Sequence, residues 1–347
     1  MKNLIKAHCE AYPKLRARDL LKLVYQSSYG CEHLLSDVDS ATERITEEHA
    51  RLAASSPRDI ECIGDYCRVP LSYLDRGLSP RTLAQLFCLS AAPDAEGDAK
   101  LECGLSTLTE LAESGEIAIS LEELSREISA WREAGFPAVS HSEKFRTEYS
   151  PSYRVISKRY ADFLPLLAAV DRMLERGRVR LAIDGGAASG KSTLAELLSK
   201  IYDATVFHAD DFFLRPEQRT PERFAEPGGN LDRERLRDEI LLPLSLGETV
   251  NYRPFLCSSF TLGEEITVEP TRLTVIEGSY SMHPELSGFY DLSAFLDISR
   301  ERQAERIRKR NSPALAERFF AEWIPLENRY FEAADVMARC DVVIRIL

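Results

Sequence analysis

Gly185-Gly186-Ala187-Ala188-Ser189-Gly190-Lys191-Ser192 decides the reading of this chain. The stretch fits G-x-x-x-x-G-K-[ST] without a mismatch. Glycines let successive backbone N–H groups turn inward around phosphate oxygens. A helix predicted to start near Lys191 aims the positive end of its dipole at the same anion. Lys191 adds a point charge for the outer phosphates, and the Ser192 hydroxyl suits Mg²⁺. The context agrees with a P-loop: an apolar run, Val179 to Ile183, precedes the glycines, and Lys191 to Tyr202 has helical character.

Working outward from that loop, strand-like and helix-like segments alternate. Ala204 to His208, Arg272 to Ile276, Ala294 to Ile298 and Asp341 to Ile346 read as strands. Asp232 to Leu241 reads as a helix stopped by Pro243, and Glu301 to Arg310 as a basic helix. This alternation implies an α/β fold, a P-loop NTPase parallel sheet with helices on both faces. The pattern breaks at Arg176-Gly177, which divides the chain into a domain 1–176 and a P-loop domain 177–347.

The first domain reads as mainly α-helical. Lys14 to Tyr25 and Thr42 to Ala54 have helical patterns, and Tyr153 to Arg176 reads as one long helix kinked at Pro165. Ser79-Pro80 is suited to start a helix Arg81 to Ala92, and Ser120 one from Leu121 to Ala134 ended by Gly135. Ala92 to Ala99 reads as a surface connection. Two patches are unusually polar and aromatic, Tyr25 to His33 and His141 to Arg154; each reads either as the lining of a second ligand site or as a loop holding a satisfied histidine.

Composition narrows the function classes. In 347 residues the formal net charge is -12, which repels polyanions and argues against general nucleic-acid binding and against adhesion to an anionic membrane. No apolar run approaches a bilayer span, and no secretory signal is visible, so a cytoplasmic protein is expected. The eight cysteines form no CxxC pair and read as reduced thiols. Cys31-Glu32-His33 and Cys62/Cys67 could be taken as metal ligands, but their spacing fits no common zinc pattern.

Three further features suit phosphoryl transfer. Asp210 and Asp211, in His208-Ala209-Asp210-Asp211-Phe212-Phe213, end a predicted strand, where loops of a doubly wound sheet gather around a ligand. A carboxylate there can take the proton of an attacking hydroxyl, bind Mg²⁺, or simply cap the next turn. Glu277 ends another strand, at the place of a metal-assisting acid. Arg302, Arg306 and Arg310 recur at helical spacing, as a lid over a transferring phosphoryl group or as a solvated helix paired with Glu301 and Glu305.

With those residues in place, the part from Arg178 onward resembles the uridine kinase-like P-loop kinases, the group that includes nicotinamide riboside kinase, pantothenate kinase and phosphoribulokinase. Ile183 to Thr193 looks like the family's P-loop, with Gly185, Gly186, Ala187, Ala188, Ser189, Gly190, Lys191, Ser192 and Thr193 as the nucleotide cradle. Asp210-Asp211-Phe212-Phe213 is similar to its D-x-F-[YF] segment, which implies Asp210 as catalytic base. Asn230-Leu231-Asp232 is similar to its N-F-D segment, which implies that Asp232 binds substrate; from the residues alone Asp232 equally reads as a helix N-cap. The resemblance further implies Lys191, Arg306 and Arg310 as catalytic residues, Asp211, Tyr252 and Phe255 on the substrate side, and Ser192, Glu277 and Asp210 at Mg²⁺. The family's base-contacting Tyr falls near Pro254-Phe255, so its hydroxyl is missing unless Tyr252 supplies it. Phe255 to Thr261 lacks the His-containing pattern of true uridine kinases, and the lid around Asn311 to Leu315 is short. The expected activity is ATP-dependent phosphorylation of a small-molecule alcohol. A nucleoside leads, with nicotinamide riboside or pantothenate as alternatives and a non-enzymatic nucleotide-sensing module as another. The expected partners are ATP, Mg²⁺ and that alcohol, with no nucleic acid and no membrane; homo-oligomerisation stays open.

Overall fold

The computed structural model describes residues 1–31, 37–53, 56, 58–91 and 96–346. Glu32 and His33, Ala54 and the start of the Ala92 to Ala99 connection lie outside the described residues. The chain forms two compact units, Met1–Ala168 and Ala169–Leu347.

The first unit is mainly helical but also contains a sheet that the sequence patterns did not foretell. Strands β1 (Glu61–Ile63), β2 (Tyr66–Pro70) and β3 (Tyr153–Ser157) pair antiparallel in the order β1-β2-β3. Gly64, at φ 79°, opens the two-residue turn between β1 and β2. Strand β3 replaces the first part of the long helix expected from Tyr153 to Arg176. Its Val155 and Ile156 are buried, and Val155 lies opposite Arg68 of β2, so a tertiary partner overrides the local pattern. Helices Lys158–Ala161 and Leu164–Leu174 follow separately. Pro165 stands in the first turn of the second, where its missing N–H has no helical partner to lose.

At the centre of this unit lies helix α1 (Ala17–Tyr29), which begins and ends later than the Lys14 to Tyr25 pattern suggests. Leu20, Leu21, Leu23 and Val24 are all buried, so α1 is covered on most sides. Against it lies an unforeseen helix, Gly97–Glu113, which carries Leu101, Leu105 and Leu108 into the same core. Gly104 permits the close approach, since a Cβ there would stand 2.5 Å from Val24 Cγ1. The polar helix expected from Thr42 runs from Val38 to His49. Ser79 and Ser120 act as the expected caps, accepting hydrogen bonds from Thr82 N and Glu123 N.

The second unit has the expected α/β architecture. Strands β4 (Val179–Gly185), β5 (Thr205–His208), β6 (Leu273–Glu277), β7 (Leu292–Ile298) and β8 (Val342–Ile346) form one parallel sheet in the order β8-β7-β4-β6-β5. The chain leaves β4 toward β5 and later returns to place β7 on β4's other side. The order thus reverses at β4, and ligands of such sheets bind in the crevice beyond the strand ends at that reversal. Helices α2 (Lys191–Tyr202), α3 (Arg300–Arg310) and α4 (Ile324–Ala333) belong to this unit. Its core includes Phe207, Phe212, Leu231, Ile240, Ile276 and Tyr330.

Pro243 does not stop the helix that follows Asp232. A helical turn Arg233–Arg235 passes into a π-helical segment Leu236–Leu241 and resumes as Leu242–Leu246. A proline ring collides with the carbonyl four residues back in a regular α-helix, and the wider π turn makes room for it. Gly247, at φ 74°, ends the element instead.

Candidate functional site

The site is built where β4, β5 and β6 end. At the end of β4, Gly185 has φ 144°, and a Cβ there would lie 2.6 Å from the Leu296 carbonyl of β7, so only glycine lets the two strands close up. Ala188 and Gly190 also have positive φ, 60° and 105°, which curl the backbone into a cradle ahead of α2. Leu194 N is the first α2 N–H to find a loop carbonyl, Gly190 O at 3.0 Å. The N–H groups of Lys191, Ser192 and Thr193 therefore stand at the free end of the helix and suit an anion. Lys191 folds over the loop, its Nζ donating to Gly185 O at 2.9 Å and Gly186 O at 3.0 Å.

Beside the cradle, Ser192 Oγ donates to Glu277 Oε1 at 3.0 Å, and His208 Nδ1 is 2.6 Å from the same oxygen. Burial would push the Glu277 carboxyl up, but the His208 hydrogen bond and the nearby Lys191 charge outweigh it and hold the group below its usual range. Glu277 stays anionic, and the hydrogen bond to it pushes His208 up. Among the described residues no cluster of three His, Cys, Asp or Glu is placed to hold a metal. Mg²⁺ needs no such cage, because it keeps several waters and takes one or two protein oxygens plus phosphate. The Ser192–Glu277 oxygen pair fits that requirement.

Asp210 lies on the 3₁₀ turn Ala209–Phe212 that follows β5. Its carboxyl reaches solvent yet is crowded by protein, and the resulting desolvation pushes its pKa up. Lys191, His208 and Arg310 pull the other way, and Glu277 adds to the rise. The neighbouring Asp211 is likewise pushed up by burial. Asp232 packs beside this turn, its N–H donating to Phe212 O at 2.7 Å. The two Asp232 oxygens differ in their surroundings. Oδ1 caps the helix by accepting from Arg235 N at 3.2 Å, while Oδ2 is buried without a hydrogen-bond partner among the described residues, with Arg215 Nε 4.0 Å away. Tyr252 stacks on Phe212 at 5.8 Å, and its hydroxyl feels the charge of Asp211. Phe255 is buried at a short strand pair, and Arg219 lies over its ring and that of Phe260.

The arginine helix meets the loop. Arg306 Nη1 donates to Ala188 O at 3.0 Å and Ser189 O at 3.2 Å. Arg310 lies over the Phe319 ring at 5.6 Å, close enough for Asp210 to feel its charge. Arg302, expected on the same face, is solvent-exposed. The face against the loop is instead Gln303, Arg306 and Ile307, with Gln303 Nε2 donating to Ala187 O at 2.9 Å.

Several residues that shape the site carried no motif signal. Glu327 of α4 is buried and accepts from Ala187 N at 2.9 Å and from Ser279 Oγ at 2.7 Å. Burial pushes its carboxyl up. Asp184 is fully buried and accepts from Gly185 N at 2.7 Å, Met282 N at 2.9 Å and Tyr330 Oη at 2.8 Å, which fixes the exit of β4 into the loop. Asp184 could have been noticed as an acid in an otherwise apolar strand end. Gln303 and Glu327 could not, since each meets a loop backbone group more than a hundred residues away.

Among the described residues the alternative metal readings gain no further ligands, and Glu32 and His33 of the first lie outside them. Cys31 is buried with its thiol against Phe87 O at 3.4 Å, and the Cys62 and Cys67 sulfurs lie 3.1 Å apart on paired strands. Cys9, Cys31, Cys62, Cys67, Cys103, Cys257 and Cys340 are free thiols. No described helix is long and apolar enough to cross a membrane.

No family model matches the chain, and no curated protein matches it. Solved structures do. A possible uridine kinase from Bacillus stearothermophilus is 23% identical over 52% of this chain and 98% of that one, with a TM-score of 0.39. Shikimate kinase from Bacteroides thetaiotaomicron is 17% identical over 48% of this chain and 85% of that one, with a TM-score of 0.28. TT1252 from Thermus thermophilus is 19% identical over 49% and 90%, with a TM-score of 0.27. These structures match about half of the chain at low identity, so the weight of any functional reading falls on the site itself.

Proposed function

We propose that the chain is an ATP-dependent kinase acting on the hydroxyl of a small molecule, with a nucleoside as the leading acceptor. One observation carries the reading: a P-loop with free helix N–H groups, the Ser192–Glu277 oxygen pair and the Asp210 carboxylate all meet beyond the ends of three adjacent strands. ATP would lie with its outer phosphates on the amides of Gly190 to Thr193. Lys191 would exchange its loop carbonyls for phosphate oxygens. Ser192 and Glu277 would hold Mg²⁺, which when bound neutralises charge on the outer phosphates.

Asp210 orients the acceptor hydroxyl and takes its proton as the oxygen bonds to the terminal phosphorus. The bond from that phosphorus to the bridging oxygen breaks, and ADP leaves. A carboxyl whose proton affinity is raised by crowding suits the task better than a fully solvated one. Arg306 and Arg310 supply positive charge near the transferred group. Asp211, Asp232, Tyr252 and Phe255 border the acceptor side. The nucleoside preference rests on the uridine kinase-like segments of the sequence. Nicotinamide riboside and pantothenate are the nearest alternatives.

The test is a coupled ADP-release screen over nucleosides and vitamins, with Lys191→Ala as the blank. An acceptor-dependent signal absent from the blank supports the kinase. Tight nucleotide binding with no phosphorylated product across the panel would favour a nucleotide-sensing module instead.

A further inference from the structure

The first unit contains a polar network that the kinase reading does not use. It joins the two polar-aromatic patches singled out in the sequence, for Gln26 of the first meets Tyr153 of the second. Asp19, fully buried on α1, accepts from His141 Nδ1 at 3.0 Å, Ser142 N at 2.9 Å, Ser142 Oγ at 2.7 Å and Arg16 N at 2.9 Å. An ionised carboxylate only accepts, so His141 carries its proton on Nδ1 and offers Nε2 to the Tyr153 hydroxyl at 2.7 Å. Gln26 Oε1 lies 3.2 Å from that hydroxyl and accepts from Arg68 Nε at 2.9 Å. Arg68 Nη1 donates to Glu61 Oε2 at 3.0 Å, and Glu61 Oε1 pairs with His8 Nδ1 at 2.7 Å.

One donor is left over. Arg68 is 2% exposed, its guanidinium lies over the Tyr153 ring at 5.0 Å, and its Nη2 is buried with no hydrogen-bond partner among the described residues. Leaving a buried donor of a charged group unpaired is costly, so it points to a ligand that completes it. Arg68 also lines a small pocket of about 20 Å³ that opens to solvent, together with Tyr12, Glu61, Phe145, Tyr153 and the exposed Asp59. The aromatic side is rigid. Tyr12 and Phe145 rings lie 5.0 Å apart, and Phe145 stacks on His141 at 4.2 Å and 5°. Hydrogen bonds from His8 and the charge of Arg68 overcome burial and hold Glu61 ionised at about 2.

The pocket therefore presents one cationic donor seeking an acceptor, two carboxylates, and apolar rings between them. A phosphate dianion would meet two like charges, and a simple amine would leave Nη2 unpaired. We propose that this pocket binds a small zwitterion of the α-amino-acid class, its carboxylate on Arg68 Nη2, its ammonium toward Glu61 and Asp59, and its side chain against Tyr12 and Phe145. Arg68 and Asp59 read the two charged ends, and the rings select the side chain. The site goes beyond the kinase reading and does not depend on it.

Isothermal titration of the full chain tests this with three panels: amino acids, the matching carboxylic acids without the amine, and the matching amines. At least one amino acid should bind one to one with Kd between about 10 μM and 1 mM, the range of −7 to −4 kcal/mol. Its deaminated and decarboxylated counterparts should each bind at least about tenfold more weakly, and Asp59→Asn should cost about tenfold. Arg68→Lys should abolish binding. Arg68 is buried and its replacement could unfold the unit, so the exposed Asp59→Asn and the half-buried Tyr12→Leu carry the test, with the circular-dichroism spectrum and thermal melt of the same preparation as the folding check. The proposal is overturned if no amino acid binds at about 10 mM, if the deaminated acid or inorganic phosphate binds as tightly, or if both of these variants keep full affinity.

Discussion

The two units place functional chemistry in opposite ways. In Ala169–Leu347 the backbone does most of the work: a short run of glycines and small residues forms an anion cradle, and a few side chains from adjacent strand ends complete it. In Met1–Ala168 the chemistry comes from side chains scattered from His8 to Tyr153, brought together by α1 and an antiparallel sheet. A backbone site is written into consecutive residues and can be read from them. A side-chain site is written only in the fold.

The contrast can be broken most sharply at Asp210. Asp210→Asn should lower kcat about 10³-fold while ATP affinity changes less than about twofold, because a general base contributes to turnover and not to nucleotide binding. ADP-release kinetics beside calorimetric ATP titration decide it; an active variant would remove the base from the mechanism. Arg310→Ala should cost about 10²-fold in kcat/KM, the usual effect of removing one charge-stabilising donor, whereas Arg302→Ala should cost less than about twofold, since it is the Arg310 charge that reaches Asp210. Equal losses would show a diffuse electrostatic effect of the whole helix.

The first unit should reveal itself through pH instead. Burial pushes His141 down to about 4, against the Asp19 hydrogen bond that pulls it up. Between about pH 6.5 and 4 the unfolded chain binds a proton that the folded chain refuses, so stability falls as pH falls, by on the order of 3 kcal/mol across the window. Denaturant titrations at several pH values should show this slope for the wild type and a flatter one for His141→Asn. The smallest effect expected is that of Ser79→Ala, which removes a cap from helix Pro80–Leu89 and should cost about 1 kcal/mol with no change in that slope.

What could be read from the sequence follows the same division. The strand and helix flanking the glycine-rich loop were legible because glycine spacing is a local signal, and strand-end acids mark Glu277 and Asp210 as candidates in the same way. Strand β3 was not, because Tyr153 to Ser157 leads into helical residues and only its pairing with β2 makes it a strand. Pro243 misled because a π segment absorbs a proline that a regular helix would reject. Helix Gly97–Glu113 was hidden by glycines that weaken the helical pattern but let it close on α1. The Asp19–His141–Tyr153–Gln26–Arg68–Glu61–His8 chain crosses more than a hundred positions, and no spacing rule could collect it.

The two ties from α4 to the loop, Glu327 to Ala187 N and Tyr330 to Asp184, span 140 and 146 positions. A nascent chain leaving the ribosome thus displays the glycine motif long before the residues that brace it exist. Until residue 330 has emerged, Asp184 and the Ala187 amide lack those anchors, and the loop cannot settle into the shape described. Competence to hold a nucleotide should therefore arrive only once residue 330 has been made, as a property of the braced loop and not of the motif that announces it.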